Sequence, residues 1–188
     1  MKSRLLIISL ACLALVACGG NDSTQEADEA SDPRAGYFHA TESSNLNPPL
    51  TQYQSAWTKY TQDPDACNKE AARLFAAGAS PRKAVQCHVR ENQALIDATT
   101  TFRATVSELD GDYRAACVTQ IKRFAAALDK VNMARQRFLS DWKAYASSGV
   151  VPAKIQQRSA AADVLTQRIL EKDLPGLENA CYTEADRA

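Results

Sequence analysis

Histidine is scarce in this chain, where only His39 and His88 occur among 188 residues. A metal site built from several imidazole ligands is therefore not expected, although imidazole is the commonest metal ligand in proteins. An excess of positive charge is also missing, because 22 Lys and Arg side chains balance 22 Asp and Glu side chains. Proteins that bind nucleic acid through its phosphates usually carry a basic patch, so no nucleic-acid partner is expected.

Signatures of common catalytic and nucleotide-binding sites are missing as well. The chain has no H-E-x-x-H, no G-x-S-x-G, no phosphate-binding loop and no dinucleotide fingerprint. Cys87-His88 matches only the end of a C-x-x-C-H haem attachment site, because residue 84 is alanine. A haem held by His88 and Met133 is not expected either, since Met133 lies off the main apolar face of its helix. We therefore predict a protein that is not an enzyme and holds no cofactor or metal.

The first 17 residues have the pattern of a secretory signal. An apolar run from Leu5 to Ala17 follows the positive charges of Lys2 and Arg4. The run is shorter than the roughly 20 residues that a transmembrane helix needs, and a basic start with a short apolar segment is typical of signal peptides. Its end, Leu15-Val16-Ala17-Cys18, resembles the lipobox of bacterial lipoproteins.

This resemblance implies cleavage before Cys18 and attachment of diacylglycerol, usually with an N-acyl chain, to that cysteine. Gly19 rather than aspartate follows Cys18. In the lipoproteins of enteric bacteria, this implies transfer to the outer membrane. Two or more acyl chains make such attachment stable. We expect a lipid anchor at Cys18 in the outer membrane, with the protein facing the periplasm.

Residues 19–47 hold many acidic and small polar side chains and almost no large aliphatic ones. Such a stretch cannot bury enough apolar surface to offset the entropy lost on ordering. We predict a disordered acidic tether over residues 18–47, which would hold the domain about 30 Å from the lipid. Tyr37, Phe38 and His39 interrupt this composition, either by chance, or because they dock on the domain, or because they form a contact point.

The remaining chain, residues 48–188, is predicted to be all-α, because no stretch alternates with period two. Proline, glycine and aspartate divide it into four predicted segments: Pro49 to Gln62 with a continuation after Asp63-Pro64 to Ala77, Ser80-Pro81 to Leu109, Cys117 to Tyr145, and Pro152 onward with a kink at Pro175-Gly176. The acids Glu108, Asp110 and Asp112 are interpreted as caps and solvated charges. Short loops between long helices favour an antiparallel up-down four-helix bundle.

The third segment carries an apolar seam with alternating steps of four and three: Cys117, Ile121, Phe124, Leu128, Val131, Arg135, Phe138, Trp142 and Tyr145. Arg135 is the one charged residue of this seam. Either its stem packs while its guanidinium reaches water, or it pairs with an acid of a neighbouring helix or contacts a ligand. The sequence leaves both interpretations open.

Four cysteines remain once Cys12 is lost with the signal and Cys18 is lipidated: Cys67, Cys87, Cys117 and Cys181. An even number in an oxidising compartment suggests two disulfides, and no C-x-x-C spacing favours a metal site. In an antiparallel hairpin, residues equidistant from the turn lie at the same height. The pairs 67–87 and 117–181 are centred on residues 77 and 149, both at predicted turns.

A bond between Cys87 and Cys117 would instead be centred on residue 102, about eight residues before the predicted turn. That offset separates the two cysteines by about 24 Å along the helix axes, whereas a disulfide needs Cα atoms within about 7 Å. We therefore predict the pairs Cys67–Cys87 and Cys117–Cys181.

Aromatic side chains lie on one face of the first segment, at Tyr53, Trp57 and Tyr60. Core packing is the ordinary role of such a face, but Trp and Tyr are also common anchors of protein interfaces. We take Tyr53, Trp57, Tyr60 and Arg135 as candidate partner-binding residues.

These observations favour a lipoprotein that acts by binding another protein. The specific prediction is an immunity protein or inhibitor that neutralises a secreted envelope-targeting toxin, such as a peptidoglycan hydrolase. A structural or accessory component of an envelope assembly is the first alternative, and a carrier of a small ligand within the bundle is the second.

Overall fold

The computed structural model describes residues 35–183, which form helices joined by short turns: α1 (Ala40–Gln62), α2 (Ala66–Ala76), α3 (Pro81–Ala84), α4 (Gln86–Ser107), α5 (Ala115–Ser148), α6 (Ile155–Arg168), a π-helical segment (Ile169–Asp173) and α7 (Leu174–Cys181). No strand occurs within this range, which confirms the predicted all-α class. The signal peptide, Cys18 and the tether as far as residue 34 lie outside the described residues.

The ordered domain begins earlier than predicted. Helix α1 starts at Ala40, nine residues before the expected start at Pro49, and Pro48 and Pro49 lie inside it. The prediction of a disordered tether through residue 47, with a domain from residue 48, is therefore wrong for residues 35–47. The composition of this stretch is polar, but two apolar side chains hold it on the domain, since Phe38 and Leu46 are only 3% and 4% exposed.

Residues 35–39 pack against the start of α5 and the end of α7. The Phe38 ring makes edge contacts with Tyr113 and Tyr182, at centroid distances of 5.2 and 5.4 Å. The Phe38 amide donates to the Cys181 carbonyl at 2.7 Å. Of the interpretations of these aromatic residues, docking on the domain is therefore correct.

Arg114 holds the same segment from the other side. Its amide donates to the Gly36 carbonyl at 3.0 Å, and its guanidinium lies 3.7 Å from the Tyr37 ring centroid and donates to the Tyr37 hydroxyl. A Cβ on Gly36 would lie 2.9 Å from the Arg114 nitrogen, and the φ of Gly36 is +79°. Glycine meets both requirements because it has no Cβ.

The breaks between helices lie close to the proline, glycine and aspartate residues that were predicted to divide the chain. The chain leaves α1 at Asp63 and enters α2 at Ala66, whose predicted start was the Asp63-Pro64 pair. Gly78 and Gly149 both adopt a positive φ directly after helices α2 and α5. The left-handed conformation that follows a helix end favours glycine, so these two turns follow from the sequence.

The predicted interruption near Pro175 takes the form of the π-helical segment Ile169–Asp173, and the chain then continues as α7. Proline has no N–H, and its ring clashes with the carbonyl four residues earlier in a regular α-helix. A widened turn directly before Pro175 accommodates both effects without ending the helical run.

Helix α4 lies against both α1 and α5, and α6, the π-helical segment and α7 lie against α5. The seam of α5 supplies the centre of the core, where six of its positions are buried: Cys117, Phe124, Leu128, Val131, Arg135 and Phe138. Within residues 35–183, no helix combines the length and the apolar character that crossing a membrane requires.

Both predicted disulfides are confirmed. Cys67–Cys87 joins α2 to α4 with a Cα separation of 5.3 Å, and Cys117–Cys181 joins α5 to α7 with a Cα separation of 4.8 Å. Both Cα separations lie within the range that a disulfide requires.

Candidate functional site

Arg135 is a buried cation in the apolar seam of α5, with no solvent-exposed surface. Val131 and Phe138, its seam neighbours, are also buried. The interpretation in which the guanidinium reaches water is therefore wrong. A charge in this position needs internal partners, because desolvation of an ion carries a large free-energy cost.

Two helices supply these partners. The Arg135 Nη2 donates to Asp163 Oδ1 at 2.7 Å and to Thr166 Oγ1 at 3.1 Å, both on α6. The Nη1 lies 3.5 Å from Asn92 Oδ1 on α4, at the outer limit of hydrogen bonding. Arg135 thus pairs with an acid of a neighbouring helix, as the second interpretation required, and the cation is the buried member of this pair.

Asn92 and Thr166 were not singled out from the sequence, although a signal for each is present. Asn92 occupies a position on the apolar face of its helix, and Thr166 lies four residues after the buried Ala162. Polar side chains at i, i+4 positions of an apolar face need a hydrogen-bond partner when buried.

Trp57 and Tyr60 cover the same guanidinium from α1. The Arg135 Cζ lies 5.5 Å from the Trp57 ring centroid and 4.9 Å from the Tyr60 ring centroid. The two rings stack on each other with centroids 5.6 Å apart and planes inclined by 24°. Attraction between a cation and the ring faces helps to hold both rings in place. Since Trp57 and Tyr60 are half-buried, each leaves part of its ring at the surface.

Tyr53 belongs to the core rather than to this surface. Its side chain is 0% exposed, and its ring lies 5.8 Å from that of Phe102. Burial raises the pKa of the Tyr53 hydroxyl, and the Arg135 guanidinium acts in the opposite direction. The structure thus brings all four candidate residues together in space, but only Trp57 and Tyr60 reach the solvent.

His88 lies in a second polar cluster, where its ring stacks on Trp142 with centroids 4.1 Å apart and planes 5° from parallel. Burial lowers the pKa of His88 to about 4, while the Glu70 carboxylate raises it. Neither His88 Nε2 nor Trp142 Nε1 has a hydrogen-bond partner within the described part of the chain.

Metal-ligating atoms converge at one place among residues 35–183, where the sulfur atoms of Cys67 and Cys87 and a carboxylate oxygen of Glu91 lie within 4.8 Å of one another. The two sulfur atoms are joined in a disulfide, so the carboxylate alone keeps its ligand character. Burial raises the pKa of Glu91, and the cations of Lys59 and Arg90 oppose this rise.

The fold and this site together define a disulfide-bonded, all-helical domain with a buried arginine beneath a stacked aromatic pair. No protein-family model matches the chain, and comparison with curated proteins and with solved structures found no significant match.

Proposed function

We propose that this protein is a lipoprotein, anchored in the outer membrane through Cys18 and facing the periplasm, that acts as an immunity protein or inhibitor. Its target would be a secreted toxin that attacks the cell envelope, such as a peptidoglycan hydrolase. The lipobox-like segment Leu15 to Cys18 supports this location. The disulfides Cys67–Cys87 and Cys117–Cys181 also support it, because such bonds persist in oxidising compartments.

The stacked pair of Trp57 and Tyr60 is the observation that carries the binding role. Trp, Tyr and Arg are the residue types most enriched among the anchors of protein interfaces. Here Arg135 lies beneath both rings and restrains them before any partner arrives. The Trp57 and Tyr60 side chains therefore lose little conformational entropy when a partner covers them, which strengthens the complex.

An antiparallel up-down four-helix bundle is the architecture that we propose for this binding domain. It is supported by the packing of α4 against both α1 and α5 and of α6 against α5, because neighbours in the chain are then neighbours in space. Such a domain presents the outer part of α1, with Trp57 and Tyr60, on a rigid support.

The anchor is tested by replacing Cys18 with serine. Metabolic labelling with palmitate, followed by separation of membrane and soluble envelope fractions, should show a labelled membrane protein for the natural chain. The Cys18→Ser chain should lose the label and move to the soluble fraction. A Cys12→Ser variant is the matched control and should behave like the natural chain, because Cys12 precedes the predicted cleavage site.

The partner is tested by affinity capture from the native envelope with the full-length, tagged protein. We expect capture of an envelope-degrading enzyme by the natural chain and loss of that enzyme with the Trp57→Ala/Tyr60→Ala variant. A Phe75→Ala/Met133→Ala variant is the control, since it removes exposed apolar side chains elsewhere on the domain.

The captured enzyme, purified separately, should degrade isolated peptidoglycan and lose this activity when an equimolar amount of the lipoprotein is added. Stable capture of a large membrane complex in place of such an enzyme would favour the alternative role, an accessory component of an envelope assembly. Unimpeded degradation in the presence of the lipoprotein would contradict the inhibitor proposal.

A further inference from the structure

A groove of about 540 Å³ lies between α5 and the helical run from α6 to α7. Arg123 and Lys130 line it from α5, and Arg168 and Lys172 line it from the opposite side. All four side chains are exposed at its rim. The volume lies within the range of roughly 300–1,000 Å³ that is usual for ligand pockets.

The charge of this groove is strongly unbalanced. Asp173 is its single acidic lining residue, and its Oδ2 lies 3.4 Å from the Arg168 Nε. Arg123, Lys130 and Lys172 form no ion pair with any acid among residues 35–183. A cleft lined by one sign of charge concentrates ligands of the opposite sign and raises their rate of association.

The spacing of the cations favours an elongated anion over a compact one. Arg123 and Lys130 are seven residues apart on α5, which corresponds to about 10 Å along the helix axis. A single phosphate or carboxylate would contact both cations only if the two long side chains bent towards each other, whereas an elongated anion contacts both without this. An extended peptide advances about 3.3 Å per residue and directs alternate side chains to the same face, so acidic residues at alternate positions can contact both walls.

The surface between the cations gives a peptide backbone room to enter. Small residues line this part of the groove: Ala126, Ala127 and Gly176. At Gly176 the nearest side-chain atom to an added Cβ would be the Gln120 Oε1, at 3.8 Å. The π-helical segment Ile169–Asp173 forms part of the wall, and such segments occur frequently at functional sites.

From these observations we infer a second binding site on this protein, which takes an extended acidic peptide segment of another protein. The site goes beyond the proposed inhibitor function and shares no residue with the Trp57–Tyr60 pair. Carboxylates of the peptide contact Arg123 and Lys130 on one wall and Arg168 and Lys172 on the other, while its backbone runs over the small residues between them.

Fluorescence anisotropy with a labelled peptide of alternating glutamate and glycine tests this site, with the full-length protein in nonionic detergent at low ionic strength. The same peptide with glutamine in place of glutamate is the control ligand. We expect the glutamate peptide to bind and the glutamine peptide not to bind. The affinity for the glutamate peptide should fall as salt is added, because exposed charges are screened.

Two variants locate the bound peptide. Lys130→Glu/Lys172→Glu reverses one charge on each wall and should weaken binding by about tenfold or more. Arg82→Glu/Lys83→Glu makes the same change in net charge at exposed positions of α3 and should leave the affinity within about twofold. Equal weakening by the two variants would overturn the site, because net charge alone would then explain the binding.

Gly176→Leu supplies a steric test that keeps every charge in place. It should also weaken peptide binding, while circular dichroism shows an unchanged helix content. Unchanged affinity in this variant, or in a folded Lys130→Glu/Lys172→Glu protein, would contradict the proposal. Displacement of the peptide by tripolyphosphate or by anionic lipid vesicles at concentrations below those of unlabelled peptide would show a phosphate site instead and would overturn it too.

Discussion

Arg135 Nη2 donates to Asp163 Oδ1 across 2.7 Å, and only the acidic member of this pair reaches water: the side chain of Arg135 is 0% exposed and that of Asp163 is 35% exposed. The buried cation therefore depends on Asp163 more than Asp163 depends on the cation. Removal of the two partners should have unequal effects on stability, because an unpaired buried ion is the more unfavourable product.

Asp163→Ala is expected to lower the free energy of unfolding by about 2–3 kcal/mol. Fully buried pairs lose about 3–5 kcal/mol when one partner is removed, and water around the partly exposed carboxylate reduces this value. Urea unfolding followed by circular dichroism measures the change.

The matched comparison is the double variant Arg135→Met/Asp163→Ala, which removes the charge together with its partner. It should be more stable than Asp163→Ala alone, because no buried ion is left without a partner. A double variant that is less stable than the single one would show that the guanidinium stabilises the fold through its other contacts.

Loss of the two disulfides should affect stability to different degrees. The bonds close loops with sequence separations of 20 for Cys67–Cys87 and 64 for Cys117–Cys181. The chain-entropy model predicts losses of about 3 and about 4 kcal/mol, respectively, when each pair is replaced by alanine. Chemical denaturation of the two double-alanine variants tests the order, and a larger loss for Cys67–Cys87 would contradict it.

Stability should decrease as the pH falls from about 6.5 towards 4, in part because of His88. Its pKa in the folded protein is lowered to about 4 by burial, against about 6.5 in the unfolded chain. The unfolded state therefore takes up a proton first, so this contribution to stability is fully present above about pH 6.5 and is lost as the pH falls towards 4.

His88→Phe isolates this effect from the protonation of carboxylates. Phenylalanine keeps a flat ring against Trp142 but cannot be protonated. The difference in unfolding free energy between the natural chain and this variant should change with pH between about 6.5 and 4. Parallel pH profiles would show that the folded state does not disfavour protonation of His88.

Phe38→Ala should destabilise the domain by about 3 kcal/mol, because this ring is buried between Tyr113 and Tyr182. The same variant should expose residues 35–39 to limited proteolysis. Ser44→Ala is the control at an exposed position of α1 and should change stability by less than about 0.5 kcal/mol. Equal resistance of the two variants to protease would contradict the role of Phe38.

The parts of the fold that the sequence predicts are those determined by local periodicity and by covalent restraint. The seam of α5 repeats over many turns, so its buried face could be predicted without knowledge of its partners. The turns at Gly78 and Gly149 follow from the conformational freedom of glycine, and they determined the pairing of the four cysteines. Both cysteine pairs are centred on these independently predicted turns, so the turn positions and the cysteine positions predict the same pairing.

What the sequence did not reveal depends on contacts between residues far apart in the chain. Residues 35–39 follow a polar stretch, and their contacts with distant residues, such as those of Phe38 with Cys181 and Tyr182, show that they belong to the domain. The basic groove was missed for the same reason, since a balanced overall charge conceals cations that α5 and the later helices bring together.

We propose that this protein protects the cell from an envelope-attacking toxin through Trp57 and Tyr60. The most direct measurement is the survival of a strain that lacks the gene when it is exposed to the toxin whose gene we expect beside it. Complementation with the natural chain or with Phe75→Ala/Met133→Ala should restore survival, whereas complementation with Trp57→Ala/Tyr60→Ala should not. Equal survival of the strain with and without the gene, and no neighbouring toxin gene, would contradict the claim.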